Sequence, residues 1–73
     1  MRVQLISTSK IVNLNGVPSR VWEGETASGI KVHAFITRIA VRQGDNADEF
    51  ERELLECDQP SPEVQSYPNS LIL

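Results

Sequence analysis

The amino-acid sequence predicts a small α+β fold in which a curved antiparallel sheet of about four strands packs against one helix. Three features support this class: alternating apolar residues in the first half of the chain, an Asn15-Gly16 pair among them, and an amphipathic helical pattern at residues 46–58. Alternation with a period of two is typical of half-buried strands, and Asn-Gly is typical of a tight hairpin turn. Because the strands precede the helix, the order of elements favours α+β over alternating βαβ units.

The first two strands are expected at residues 2–7 and 10–14. The second runs directly into Asn15-Gly16, two residues that adopt the positive φ angles of a two-residue turn at low cost. Pro18 follows this turn at once. Since proline cannot donate a hydrogen bond to a ladder, we expect the chain to lie at a sheet edge or to bend at Pro18.

The third strand, residues 20–26, is expected to pair with the strand that follows it. A type I turn with Gly29 in the left-handed region would place Thr26 opposite Ile30. Carried along both strands, this register predicts five further cross-strand pairs: Glu25–Lys31, Gly24–Val32, Glu23–His33, Trp22–Ala34 and Val21–Phe35. Opposite charges then meet on one face of the sheet, and apolar side chains meet on the other.

A long strand is expected over residues 29–42, but its apolar residues change face part of the way along. Ile36 continues a row of even positions, whereas Ile39 and Val41 occupy odd positions. A period of two changes phase only through an extra residue, so we predict a β-bulge near Thr37. If the outward faces coincide across the bulge, four side chains form one basic stripe: Lys31, His33, Arg38 and Arg42. The alternative is an edge strand that charge protects from pairing.

The one helix expected, at residues 46–58, begins with strong capping signals. Asn46 can cap it, and Glu49 completes a capping box three residues later. Four apolar residues recur at three- and four-residue spacing and are expected to cover the sheet: Ala47, Phe50, Leu54 and Cys57. The opposite face is strongly acidic, which indicates solubility or, as an alternative, mimicry of a phosphate backbone.

Residues 1–59 are expected to form a single α+β domain, and residues 60–73 an extended tail docked on it. Pro60, Pro62 and Pro68 bias this tail away from helix. The tail ends in three apolar residues, Leu71, Ile72 and Leu73. Such an end is expected either to add a strand to the sheet or to contact a second copy or another partner by strand addition.

The charges are segregated along the chain, although the net charge is only −3. Residues 1–43 hold six basic and two acidic residues, whereas residues 44–73 hold one basic and eight acidic residues. An acidic helix beside a basic sheet would account for this pattern. The single cysteine can form no internal disulfide, which indicates a reducing compartment. With neither a signal peptide nor a membrane-spanning run in the sequence, we expect a cytoplasmic protein that has no membrane partner.

No motif in the sequence predicts an enzyme, and no catalytic, cofactor-binding or metal-binding residue is expected. His33 would need a nucleophile, but Cys57 lies on the apolar side of a helix, where cysteine behaves as a small hydrophobic residue. Asp45, Asp48 and Glu49 lack the spacing and the central glycine of an EF-hand loop. We therefore expect no cofactor and no small-molecule ligand.

These observations favour a non-enzymatic protein-interaction or structural accessory module that acts through sheet edges, the acidic helix or the apolar tail. Its partner would be another protein or a second copy in a homodimer, because a chain of this length buries a small core. The alternative is a nucleic-acid-binding protein that uses the basic strand face of Lys31, His33, Arg38 and Arg42. The net negative charge and the few aromatic residues on that face favour the first hypothesis.

Overall fold

The computed structural model describes Met1–Leu73, and the chain forms four strands and two helices. In chain order these are β1 (Val3–Leu14), β2 (Val17–Thr26), β3 (Lys31–Ile36), α1 (Ala47–Glu53), α2 (Pro62–Gln65) and β4 (Ser70–Leu71). The strands form one sheet in the order β3-β2-β1-β4. The predicted α+β class is confirmed. The sheet is mixed, because β4 enters it parallel to β1 while the other neighbours are antiparallel.

The first two predicted strands are a single strand, β1, with a register irregularity between Ser7 and Ile11. Side chains bond to the backbone at this irregularity. The buried Thr8 hydroxyl donates to the Val21 carbonyl oxygen at 2.7 Å, and the Arg20 guanidinium donates to the Thr8 carbonyl oxygen, also at 2.7 Å. These bonds take the place of ladder bonds, so β1 continues through the irregularity without leaving buried polar groups unpaired.

The turn between β1 and β2 is the one that the Asn15-Gly16 pair predicts. Asn15 has φ 51° and Gly16 has φ 87°. Pro18 lies near the start of β2, opposite Asn13 of β1, on a stretch that extends beyond the end of β3 at Ile36. Its nitrogen therefore faces a side of β2 that has no neighbouring strand, which confirms that Pro18 lies at a local sheet edge.

The register predicted for β2 and β3 is confirmed at all five pairs. The Thr26 N–H donates to the Ile30 carbonyl oxygen at 2.9 Å, and Gly29 has φ 87° in the left-handed region. The sequence of this turn therefore determines which side chains of β3 share a face with those of β2.

Gly24 marks a close approach of β1 to β2. A Cβ atom at this position would lie 1.7 Å from the Gln4 carbonyl oxygen and 2.9 Å from the Leu5 Cα. Both atoms belong to the backbone of the neighbouring strand, so no change of rotamer relieves the overlap. Only glycine fits at this point of the sheet.

The chain leaves the sheet after Ile36, so the predicted long strand with a β-bulge near Thr37 is wrong. If β3 continued in the same register, Arg38 would be the next residue whose backbone groups face β2. Arg38 would then lie opposite Pro18. Pro18 has no N–H to donate, and the ladder ends there. The change of phase between Ile36 and Ile39 marks the end of a strand, and the register shift of the sheet lies in β1 instead.

α1 begins as predicted but contributes little to the core. The Asn46 side chain accepts a hydrogen bond from the Glu49 N–H at 3.0 Å and caps the helix. The helix ends at Glu53 and has no buried residue, so the prediction that its apolar face covers the sheet is wrong. Leu55 is 82% exposed and Cys57 is exposed, because the helix ends before it reaches either residue.

α2 covers the sheet instead, within a segment predicted to be extended. Ser61 caps this helix and Pro62 occupies its first turn, where proline is favoured because that position needs no intrahelical N–H bond. Val64 is fully buried against Val12 and Val21, and these three valines form the core. Three partly buried side chains surround them: Phe35, Tyr67 and Leu71.

The end of the chain returns to the sheet as β4, the first of the two arrangements expected for the tail. Leu71 packs against the core, whereas Ile72 and Leu73 are exposed. The Asn15 side chain holds the terminus: its Oδ1 accepts from the Leu73 N–H at 2.9 Å, and its Nδ2 donates to the Leu73 carbonyl oxygen at 3.2 Å.

Candidate functional site

The structure separates the four basic residues of the predicted stripe: Lys31, His33, Arg38 and Arg42. The first two lie on β3 and the last two lie beyond its end. Lys31 pairs with Glu25 at 2.9 Å, and Arg42 pairs with Asp45 at 2.9 Å. Arg38 is exposed and lines a 270 Å³ cleft beside Trp22 and Leu54. The chain therefore presents scattered, mostly paired basic groups at these positions.

His33 belongs to a hydrogen-bonded cluster with Tyr67, Glu23 and Ser61, here called the His33 cluster. The Nδ1 atom of His33 lies 2.8 Å from the Tyr67 hydroxyl, and the Nε2 atom of His33 lies 3.9 Å from Glu23 Oε1. The other oxygen of Glu23 accepts a hydrogen bond from the Ser61 N–H at 2.9 Å. Tyr67 also packs edge-on against the rings of His33 and Phe35. The cluster thus fastens both ends of α2 to β2 and β3.

The carboxyl group of Glu23 remains ionised in this cluster. Hydrogen bonds from the hydroxyl and the backbone N–H of Ser61 hold the pKa of Glu23 below its ordinary value of 4.5. Partial burial opposes this shift in pKa, and the nearby His33 adds to it. Because the carboxylate is stabilised, Glu23 serves as a hydrogen-bond acceptor and not as a proton donor.

The His33 cluster lacks the geometry of a nucleophilic site. The Ser61 Oγ accepts the Val64 N–H at 3.2 Å as the cap of α2, and the carboxylate beside it, Glu23, is a weak base because its pKa is lowered. No group of three or more His, Cys, Asp or Glu side chains is placed to hold a metal ion. We assign the cluster a structural role. Ser61 had a sequence signal, since Ser-Pro-Glu is typical of a helix start, whereas nothing local pointed to Tyr67.

A cavity of 780 Å³ opens beside this cluster, lined in part by Glu23, Glu25, Glu63 and Lys31. Lys31 already neutralises Glu25, and Ser61 already bonds to Glu23. Glu63 alone is left among the three carboxylates without a partner, and one carboxylate is too few to coordinate a cation.

The outer edge of β3 exposes a row of backbone groups. Backbone groups of successive β3 residues point alternately towards β2 and away from it. The Thr26–Ile30 hydrogen bond shows that Ile30 faces β2, so Val32 and Ala34 face β2 as well. The intervening residues turn their N–H and C=O groups away from the sheet, where no strand lies. These residues are Lys31, His33 and Phe35.

The opposite edge of the sheet is partly covered, in contrast to β3. β4 covers one end of β1, and Asp58 bonds to β1 through the Ser9 N–H at 3.0 Å and the Ser7 carbonyl oxygen at 2.8 Å. Natural sheets commonly protect their edges with proline, bulges or several charges. β3 has no proline or bulge and contains one charged residue, Lys31. Its edge is therefore the one that no segment covers along its length.

The chain also exposes more surface than a folded monomer of its size. Its accessible surface is 5746 Å², whereas a compact monomer of 8.2 kDa exposes about 4,500 Å². The difference is about 1,200 Å². Large apolar side chains account for part of the exposed surface, among them Ile30, which directly precedes β3 and is 62% exposed. This surface is available to a partner.

Neither helix is long and apolar enough to cross a membrane. When the chain is compared with known proteins, no protein-family model, no curated protein and no solved structure gives a significant match.

Proposed function

We propose that this chain is a non-enzymatic protein-interaction module that binds an extended strand of its partner along the outer edge of β3. The observation that carries the proposal is the row of unpaired backbone groups at Lys31, His33 and Phe35. A bound strand would satisfy these groups by strand addition. In that mode the main-chain hydrogen bonds supply affinity, and the alternate side chains supply specificity.

The exposed surface supports the same proposal. The excess of about 1,200 Å² exceeds the roughly 800 Å² that each partner buries in an interface of standard size. Ile30 lies at the end of this edge with most of its side chain in solvent. A strand bound along β3 would cover Ile30 and shield the half-buried Val32 and Ile36 beside it.

The other surfaces suggested by the sequence have less support. Leu71 is engaged in β4, which leaves Ile72 and Leu73 as the exposed apolar end. Nucleic-acid binding would require free basic groups, but Lys31 and Arg42 are held in ion pairs. The proposal also assigns the protein to the cytoplasm, since its single cysteine is free.

A pair of substitutions at Lys31 tests the edge directly. Lys31→Pro removes an outward N–H that β2 does not use, and Lys31→Ala removes the same side chain and ion pair while keeping the N–H. Partner affinity should fall by about tenfold or more for Lys31→Pro relative to Lys31→Ala, since a lost hydrogen bond and a displaced strand cost about 1.5 kcal/mol. The measurement is capture from an extract of the source cells on each immobilised variant, identification of the retained protein, and titration of that purified protein.

The fold of each variant is checked by Trp22 fluorescence and circular dichroism. Equal affinity of the identified partner for Lys31→Pro and Lys31→Ala would contradict the proposal, because the backbone of β3 would then take no part in binding. A wild-type chain that bound neither another protein nor itself would also contradict the proposal.

A further inference from the structure

We infer that the strand bound by β3 is β3 of a second copy of this chain, in a two-fold dimer with the two His33 residues opposite each other at the axis. This inference rests on the proposed function and names its partner. The two sheets would join into one continuous sheet across the β3 edges, with the same residues contributed by both copies, as two-fold symmetry requires.

The unpaired backbone groups of β3 are self-complementary. They recur at every second residue, at Lys31, His33 and Phe35. When two antiparallel copies meet with His33 opposite the partner's His33, Lys31 lies opposite the partner's Phe35. Every outward N–H then meets a carbonyl oxygen, and each of these residue pairs exchanges two hydrogen bonds.

Other registers of the two β3 strands would pair fewer of their backbone N–H and C=O groups. A shift by two residues in one direction would place Phe35 opposite the partner's Gly29, whose N–H already donates to the Thr26 carbonyl oxygen at 3.0 Å. The opposite shift would place Lys31 opposite the partner's Thr37, which lies beyond the end of the strand. The hydrogen bonds therefore select the register with His33 on the axis.

The side chains agree with this register. Ile30 would lie opposite the partner's Ile36, and Val32 opposite the partner's Ala34, so the even positions form an apolar row across the axis. Lys31 is the one Lys, Arg, Asp or Glu residue of β3, and it would face a phenylalanine, so no like charges oppose each other. The exposed side chain of Ile30 would be covered.

The surface area agrees with a second copy as well. An excess of about 1,200 Å² per chain amounts to about 2,400 Å² for two chains. Homodimer interfaces bury about 2,000 Å² or more in total. The total exposed surface of the chain is therefore large enough for a homodimer interface of this size.

The first test is the mass in solution, measured by light scattering after size exclusion across a dilution series. The wild-type chain and Lys31→Ala should have twice the mass of the 8.2 kDa monomer. Lys31→Pro should be a monomer at the same concentrations. A wild-type chain that is monomeric throughout, or a dimer that persists in Lys31→Pro, would overturn the inference.

Disulfide trapping tests the register. In a Cys57→Ala background, His33→Cys should form a covalent dimer under mild oxidation, because hydrogen-bonded antiparallel partners have Cα atoms about 5.5 Å apart, within disulfide range. Lys31→Cys is the control, since the two copies of residue 31 would be about 14 Å apart. Cross-linking of Lys31→Cys in preference to His33→Cys would overturn this register.

The two proposals fail in different ways. A monomeric wild-type chain whose capture of another identified protein still depends on the Lys31 N–H would refute the dimer and leave the interaction module standing. Capture that does not distinguish Lys31→Pro from Lys31→Ala, together with a monomeric chain, would refute both.

Discussion

Glu23 illustrates what a single residue does in this fold. Its carboxylate faces His33 across the β2–β3 ladder, as the register predicts, and it also accepts the Ser61 N–H from the cap of α2. The first contact is local and follows from one turn. The second joins segments 38 residues apart and arises when α2 docks on the sheet.

Glu23→Gln should make stability less dependent on pH. Because Ser61 lowers the pKa of Glu23 in the folded state, the carboxylate stabilises the fold above its ordinary pKa of 4.5. That contribution is lost as the pH falls through the lower, folded-state pKa. The wild-type chain should therefore be more stable than Glu23→Gln at neutral pH, and the difference should shrink below about pH 4.5.

The measurement is urea unfolding followed by Trp22 fluorescence between about pH 3 and pH 7. Glu25→Gln is the control, since the Glu25 carboxylate pairs with Lys31 at the surface and should change stability by less than about 1 kcal/mol. A Glu23→Gln deficit that stays constant over the whole pH range would show that the ionised carboxylate does not stabilise the fold.

The elements were predictable where short-range chemistry specifies them. Asn15-Gly16 and Gly29 determine two turns, and the turns determine the β2–β3 register and the register of β2 with residues 11–14 of β1. The helices were harder to predict, because the more amphipathic segment, α1, is exposed and the four-residue α2 supplies the buried Val64. A helical pattern shows which face is apolar and does not show whether that face reaches the sheet.

Val64→Ala should reduce the free energy of unfolding by about 2 kcal/mol, because it removes two buried methyl groups and leaves a cavity among the three core valines. Leu55→Ala is the matched control. The larger Leu55 side chain is mostly exposed after α1, so its truncation should change stability by less than about 0.5 kcal/mol. Urea unfolding monitored by Trp22 fluorescence measures both effects. Equal losses would contradict this account, because the segment after α1 would then contribute as much to the core as α2 does.

At the scale of the whole molecule, the small core and the large exposed surface have the same cause. Three valines are the only apolar side chains fully buried, and five residues of 73 are buried in all. A chain of this length can bury only a few residues, since its surface is large relative to its volume. The remaining apolar groups lie at the surface, where a partner can bury them.

If a second copy is that partner, the thermal unfolding temperature should rise with protein concentration, because association stabilises the folded state by mass action. Differential scanning calorimetry of the wild-type chain across a hundredfold range of concentration measures this dependence. Lys31→Pro should unfold at a temperature that is independent of concentration. A concentration-independent transition in the wild-type chain as well would argue against coupling between folding and association.

Residues close together in the sequence determined the α+β class, the Asn15-Gly16 hairpin, the β2–β3 register and the Asn46 cap. Turn geometry and capping act over a few residues, so the sequence alone specifies them. The tertiary structure decided that Pro18 ends β3, that Ser61 and Tyr67 complete the His33 cluster, and that β4 covers part of one edge while the β3 edge stays open. These outcomes depend on which distant segments pack against the small sheet. Sequence-distant segments can occupy the same limited surface, so their packing is determined only by the fold of the whole chain.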